Sequence, residues 1–269
     1  MFVMKITTLA SGSKGNCTLV QTDKTNILID AGISLQEIEA KLQYLGVDPK
    51  SISGILVTHE HGDHIKSVGA FSRKYGTKIY ANYEEWGVLL NKIGKVDVEN
   101  RMSFVQNEFI LNDIGVRAFE LSHDSHTCFG YSIYNNGNKF SIATDLGYAP
   151  QSVINNLANS ELIVLEANHD EKMLINNPKY SVSLKKRILS NSGHLNNNAT
   201  SDVIEKLMST NLKQVILGHL SEENNTPSLA YTQVKSNLAR HGIEEGKNIF
   251  IDVSTQHEIG HTFELKNKN

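Results

Sequence analysis

The sequence predicts an α/β fold made of two sheets with helices on their outer faces. Three features predict it: short strands come first, a strand-rich centre fills residues 102–142, and helix–strand alternation occupies both halves. Strands are read over 5–9, 17–22 and 26–30, the first two joined by the glycine-punctuated loop Ser11-Gly12-Ser13-Lys14-Gly15-Asn16. Ser34 then caps a helix, with Glu37 completing a capping box. Leu35, Ile38, Leu42 and Leu45 recur at helical spacing until Gly46 stops it. A strand of buried type over 52–57 runs straight into a histidine cluster. A helix over 65–75, a strand over 78–80 and a helix over 83–92 follow. In the centre, Asn112-Asp113, Gly115 and Asn135-Asn136-Gly137 mark turns between strands. Beyond Asp145 the alternation resumes: helix 150–157, strand 162–165, helices 182–189 and 200–208, strand 214–217, helix 227–241, and strands near 249–253 and 262–265.

No linker, long charge run or internal repeat divides the chain, so one domain over 1–269 is expected. Hydrophobic residues at 39% and charged residues at 20% exclude a disordered or fibrous protein. The net charge of −3 carries no global basic excess, so any nucleic-acid contact must be local. Apolar runs fall far short of a membrane span, and the first ten residues hold no signal core. With only Cys17 and Cys128 there is no disulfide framework, and a reducing cytoplasm is the natural compartment. The unusual feature is histidine, 11 of them and clustered.

Thr58-His59-Glu60-His61-Gly62-Asp63-His64 is the strongest signal. A buried strand ends at Val57, so these residues fall at the carboxyl edge of a sheet, where α/β proteins place their sites. His59 and His61 are two apart in extended chain and project to one side. Gly62 permits a tight turn, and Asp63 and His64 open a helix. Four nitrogen and oxygen donors gathered there suit Zn²⁺, Mn²⁺ or Fe²⁺. As a merely packed polar loop, the same groups would be costly to desolvate.

This heptapeptide resembles the T-H-x-H-x-D-H signature of the metallo-β-lactamase fold superfamily. Later residues fall in that family's order: His123 after Phe119-Glu120-Leu121-Ser122, Asp145 in Ala143-Thr144-Asp145-Leu146-Gly147, and His219 after Val215-Ile216-Leu217-Gly218. The resemblance implies a four-layer αββα sandwich and two divalent metal ions, zinc or manganese. It places the first on His59, His61 and His123, the second on Asp63, His64 and His219, and Asp145 between them. It also implies catalytic parts for Asp63 and for His194, in Gly193-His194-Leu195-Asn196. Glu166, in Leu165-Glu166-Ala167-Asn168, would orient His194 and raise its basicity for proton donation to a leaving alkoxide. His126 and His169 lie near the ligands in sequence and receive no role.

His257-Glu258-Ile259-Gly260-His261 matches the zinc-protease pattern H-E-x-x-H by letter. Strand-like neighbours, Gly260 and the short remaining chain argue against the helix that pattern needs, and a terminal hairpin or strand connection is expected.

Paired divalent ions lower the pKa of a shared water, turning it into a hydroxide nucleophile at neutral pH, and stabilise an in-line displacement at phosphorus. Seven ligands without cysteine favour such a two-metal site. The stretch from Asp145 to His219 is too short for the added domain of the β-CASP nucleases. That from His123 to Asp145 is too short for the gripping arm of long tRNA-processing enzymes. What remains resembles the compact bacterial WalJ/YycJ proteins, which implies a nucleic-acid phosphodiesterase, a 5′-to-3′ exonuclease on DNA. Ser13, Lys14 and Asn16 would then present donors to a phosphate, and Lys179, Lys185, Lys186 and Arg187 form the best local basic cluster. The competing readings are a small-molecule ester, thioester or lactone hydrolase on the same fold, and a non-catalytic scaffold.

Overall fold

The computed structural model describes residues 3–266. Residues 1, 2 and 267–269 of the expected 1–269 domain lie outside the described residues. The chain opens with β1 (Val3–Ala10), β2 (Cys17–Gln21) and β3 (Asn26–Ile29), then α1 (Leu35–Tyr44), β4 (Ile52–Leu56), α2 (Gly62–Ile65), α3 (Val68–Tyr75), β5 (Lys78–Asn82), α4 (Trp86–Ile93) and β6 (Arg101–Phe104). The second half holds β7 (Glu108–Leu111), β8 (Ile114–Glu120), β9 (Phe129–Asn135), β10 (Asn138–Ala143), α5 (Gln151–Leu157), β11 (Leu162–Glu166), α6 (Glu171–Asn176), α7 (Val182–Ile188), α8 (Asn197–Leu207), β12 (Gln214–Gly218), α9 (Pro227–Arg240), β13 (Phe250–Val253) and β14 (Thr262–Lys266).

Two seven-stranded sheets result, in the orders β14-β1-β2-β3-β4-β5-β6 and β13-β12-β11-β10-β9-β8-β7. Strand alternation explains the four layers. In β11, Leu162 and Val164 point between the sheets while Ile163 and Leu165 point to the helices outside; in β3, Ile27 and Ile29 point inward and Leu28 outward. Both faces are therefore buried, which is why these strands read as continuous apolar runs. Helices α1, α3 and α4 cover the first sheet, and α5, α8 and α9 the second. This is the expected αββα arrangement.

Strands β3, β4, β5 and β6 run parallel, as do β10, β11, β12 and β13. Their carboxyl ends gather Asp30, the His59–His64 turn, Asp145, Glu166 and His219 along one rim of the sandwich.

Two local elements depart from the sequence reading, and the segment before β14 follows it. The helix expected over 65–75 is broken at Ser67, whose N–H donates to the Ala31 carbonyl and whose hydroxyl donates to that of Ile33. The short helix α6, capped by Asp170, was not expected from the pattern. Residues 257–261 form no helix and connect β13 in one sheet to β14 in the other, as a strand connection, with the Gly260 N–H on the Thr8 carbonyl. Among the described residues no helix is long and apolar enough to cross a membrane.

Candidate metal centre

The turn after β4 is built by its neighbours as much as by its own sequence. Asn16 N–H donates to the Asp63 carbonyl, Ala31 N–H to that of His64, and Gly32 N–H to that of Asn16, each at 2.8–2.9 Å. Contact is so close that a Cβ on Gly32 would fall 1.6 Å from the Asp63 carbonyl oxygen. His61 caps α2, and one helical turn carries Asp63 and His64 back over the sheet edge.

The structure brings all seven expected ligand residues together. Donor atoms of His59, His61 and His123 lie within 4.8 Å of one another; so do those of Asp63, His64 and His219, and those of His59, His64 and Asp145. His123 Nε2 is 3.3 Å from His61 Nδ1. Asp145 Oδ2 is 3.1 Å from His64 Nε2, and Asp63 Oδ2 is 3.5 Å from both His64 Nε2 and His219 Nε2. Asp145 thus sits between two groups of three.

Buried groups hold the outer nitrogens. Asp30 Oδ2 takes His64 Nδ1 at 2.7 Å and the Thr58 hydroxyl at 2.8 Å, while Oδ1 takes Thr58 N–H at 2.9 Å. Glu166 Oε1 lies 2.7 Å from His194 Nδ1 and 2.8 Å from His219 Nδ1, and Oε2 accepts from Leu146 and Leu195 N–H. An ionised carboxylate only accepts, so these Nδ1 atoms carry the protons and Nε2 is left as a donor of electrons.

His59 Nε2, Asp145 Oδ2 and His219 Nε2 are buried and make no hydrogen bond within the described residues. Such atoms are costly unless something else satisfies them. Electrostatics agree. Burial alone would lower the pKa of His64 and His219, yet Asp145 with Asp30 and Asp63 raises His64 well above its ordinary value, and Asp145 with Asp63 and Glu166 pushes His219 up to about 10. Burial, with the charge on His64, holds His59 well below its ordinary value. Burial would raise Glu166, but the facing His194 and His219 bring it down to about 2. The carboxylates thus draw positive charge to the place where divalent cations would supply it. An imidazole and carboxylate donor set with orphaned buried atoms fits such ions.

The remaining expected residues divide. His194 joins the ligand cluster, its ring 5.1 Å from that of His123 and 5.3 Å from that of His219. Ser13 lines the cleft over the cluster. Lys14 is engaged by Glu222 at 2.5 Å and is two-thirds exposed. Asn16 departs from expectation: it is buried, its amide donating to the Gly12 carbonyl and lying 3.0 Å from His64 Nε2, so it braces the turn and presents nothing to a phosphate. Of the basic cluster, Lys179 pairs with Glu223, Lys185 donates to the Ile175 carbonyl, and Arg187 bonds Asp124 and lines the cleft. His126 is exposed; His169 is buried, and that burial lowers it to about 4.

Asp30, Thr58 and Ser11, whose hydroxyl accepts from His219 N–H at 2.8 Å, were not singled out by the sequence. The one signal available was a carboxylate directly after a strand, in Ile29-Asp30-Ala31-Gly32.

The family model described as the metallo-beta-lactamase superfamily matches residues 10–219. The chain is 36% identical over 239 residues to "Exodeoxyribonuclease WalJ" of Streptococcus pneumoniae, covering 88% of each chain. It is 36% identical over 240 residues to "Exodeoxyribonuclease YycJ" of Bacillus anthracis, covering 89% of this chain and 90% of that one. Among solved structures, the metallo-beta-lactamase fold protein YhfI of Bacillus subtilis superposes with a TM-score of 0.73 at 16% identity, covering 98% of this chain and all of the other.

Proposed function

The chain belongs to the metallo-beta-lactamase superfamily, and on that premise we propose that it is a metal-dependent DNA phosphodiesterase, a 5′-to-3′ exonuclease, forming one domain and working with two divalent cations, zinc or manganese. The observation that carries this is His194, fixed by Glu166 beside a seven-residue donor set that shares Asp145. When bound by His59, His61, His123, Asp63, His64, His219 and Asp145, the cations would activate a water and neutralise charge building on the phosphoryl oxygens.

The chain's own residues supply the rest. Glu166 holds His194 by Nδ1, so Nε2 faces the cleft and delivers the proton that the leaving alkoxide needs. Asp63, 24% exposed and lining the cleft, accepts the proton from the attacking water. Ser13, which lines the same cleft, donates to the phosphoryl group. Glu166 touches no substrate and acts by positioning. Cys17 and Cys128 are buried free thiols, which supports a reducing, cytoplasmic setting.

The test is hydrolysis of end-labelled duplex DNA beside thioester and lactone substrates, with Mn²⁺ or Zn²⁺ added. DNA hydrolysis from the 5′ end, lost in Asp145→Ala with its fold checked by circular dichroism, is expected. Hydrolysis of the small molecules alone would overturn the reading.

A further inference from the structure

A compartment of about 160 Å³ opens beside His194, lined by Ser13, Asn168, Tyr180, Arg187 and Ser221 and by Asp124, whose carboxylate is paired with Arg187. It shares Ser13, Arg187 and His194 with the cleft over the candidate ligands, so the two spaces meet at those side chains. Building on the phosphodiesterase reading above, we propose that this compartment takes the 5′-phosphate end of the strand's terminal nucleotide on Arg187, the base lying outside it, and that cleavage therefore favours a 5′-phosphorylated end over a 5′-hydroxyl.

Position argues for it first. His194 faces the leaving oxygen, so whatever departs with that oxygen extends past His194, where this compartment lies. In removal from a 5′ end, the departing piece is the terminal nucleotide. The water oxygen bonds to phosphorus, the bond from phosphorus to the terminal 3′ oxygen breaks, and that oxygen takes the proton from His194. The nucleotide leaves with its 5′-phosphate unchanged, and the shortened strand carries a new 5′-phosphate. Each cut therefore regenerates the end that the compartment recognises.

Chemistry argues for it second. Asp124 takes Arg187 through Nε, and among the described residues no acceptor takes the two Nη nitrogens. The two Nη nitrogens are thus left to donate from one planar fork, the form suited to a phosphate. Ser13 and Ser221 add hydroxyl donors, and Tyr180 adds an aromatic wall. The larger groove of about 600 Å³ that reaches His123 carries Glu84 and Glu120 with no lysine or arginine among the described residues of its lining, whereas Asp124 of the smaller compartment is offset by Arg187.

The test measures the first cut on two hairpin duplexes that differ only in a 5′-phosphate or 5′-hydroxyl, with Mn²⁺ present. The wild type should cut the phosphorylated end about tenfold or more faster, and the hydroxyl end should show a lag that ends at the first cut. Arg187→Ala should erase the preference by slowing the phosphorylated duplex more than the hydroxyl one. Because this change also frees Asp124, the double variant with Asp124→Asn is measured beside it. Fluorescence anisotropy in EDTA reads the same preference in binding for all three proteins, whatever their metal content. Equal rates for the two ends, or a preference that survives both variants, would overturn the subsite and leave the nuclease standing. Failure of the metal-loaded wild type to cut either duplex would bring down both.

Discussion

Replacing Glu166 by Gln keeps the shape of a fully buried side chain and reverses the sense of one oxygen. Four donors converge on this carboxylate: the Nδ1 atoms of His194 and His219 at 2.7 and 2.8 Å, and the N–H groups of Leu146 and Leu195 at 3.1 and 3.0 Å. The new NH₂ accepts nothing, so two of the four lose their partner in either orientation. If it faces the backbone, Leu146 and Leu195 have no alternative, and about 1–3 kcal/mol for each unpaired buried group amounts to roughly 2–6 kcal/mol of stability. If it faces the imidazoles, both rings can recover by moving the proton from Nδ1 to Nε2, which costs the fold less. His219 Nε2 then carries a hydrogen and cannot bind a cation. The expected outcome is a folded variant in which the Asp63–His64–His219 position loses about 10–100-fold in metal affinity, while His59–His61–His123 keeps its own. Calorimetric metal titration with urea denaturation measures both quantities. Two cations bound with wild-type affinity and unchanged turnover in Glu166→Gln would refute the tautomer argument.

Other outcomes follow from the same coordinates. His194→Asn should slow DNA hydrolysis by about 10²–10⁴-fold at unchanged metal content, and much less on bis(p-nitrophenyl) phosphate, whose leaving group needs no proton; equal losses on both substrates would exclude proton donation. Chelation with EDTA should abolish activity and lower the unfolding temperature, since ions held at 100 times their Kd add about 2.7 kcal/mol; an unmoved melting curve would contradict a cation-dependent cluster. Glu85 is 2% exposed; burial, with Glu60 adding and the Thr127 hydroxyl opposing, raises its carboxyl from 4.5 to about 7. The native state then keeps a proton that the unfolded chain gives up, so stability falls as pH rises from about 4.5 to about 7. Glu85→Gln should remove up to about 3 kcal/mol of that fall, read from urea midpoints at pH 5 and pH 8; a pH-independent difference from wild type would refute it.

The layers and the first ligands were legible for the same reason. Strands buried on both faces leave uninterrupted apolar runs, and the His59–His64 donors stand where one such run stops; the resemblance to the metallo-β-lactamase signature then put His123, Asp145 and His219 in order before any coordinates. What stayed hidden depends on partners distant in the chain. Asp30 reads as an ordinary carboxylate after a strand until β3 and β4 pair in parallel and set it beside Thr58 and His64. Asn16 reads as a loop residue open to a ligand, because nothing local reveals that the Asp63 turn closes over it. The break at Ser67 likewise follows from carbonyls of the loop after β3, which a helical pattern over 65–75 cannot register.

Backbone conformation explains how a rim of strand ends becomes a binding site. Six non-glycine residues among those described have φ between 48° and 64°. Three are asparagines at turns, Asn112, Asn136 and Asn159, where this region is readily adopted. The others are Asp30, Asp145 and His219, each at or just past the carboxyl end of a parallel strand, and each a candidate ligand or the support of one. A side chain continuing the strand would point into one of the apolar layers above or below the sheet. A single left-handed residue turns it over the edge instead, at about 1–2 kcal/mol apiece. Bonds at the same places offset that strain: Asp30 N–H reaches the Leu56 carbonyl, His219 N–H the Ser11 hydroxyl, and Leu146 N–H, next to Asp145, the Glu166 carboxylate. Ser11 therefore acts on the backbone bearing His219, and Glu166 on the backbone beside Asp145 as well as on the His194 and His219 rings, and the apolar layers behind them hold each strand in the register that makes the turn land where it does.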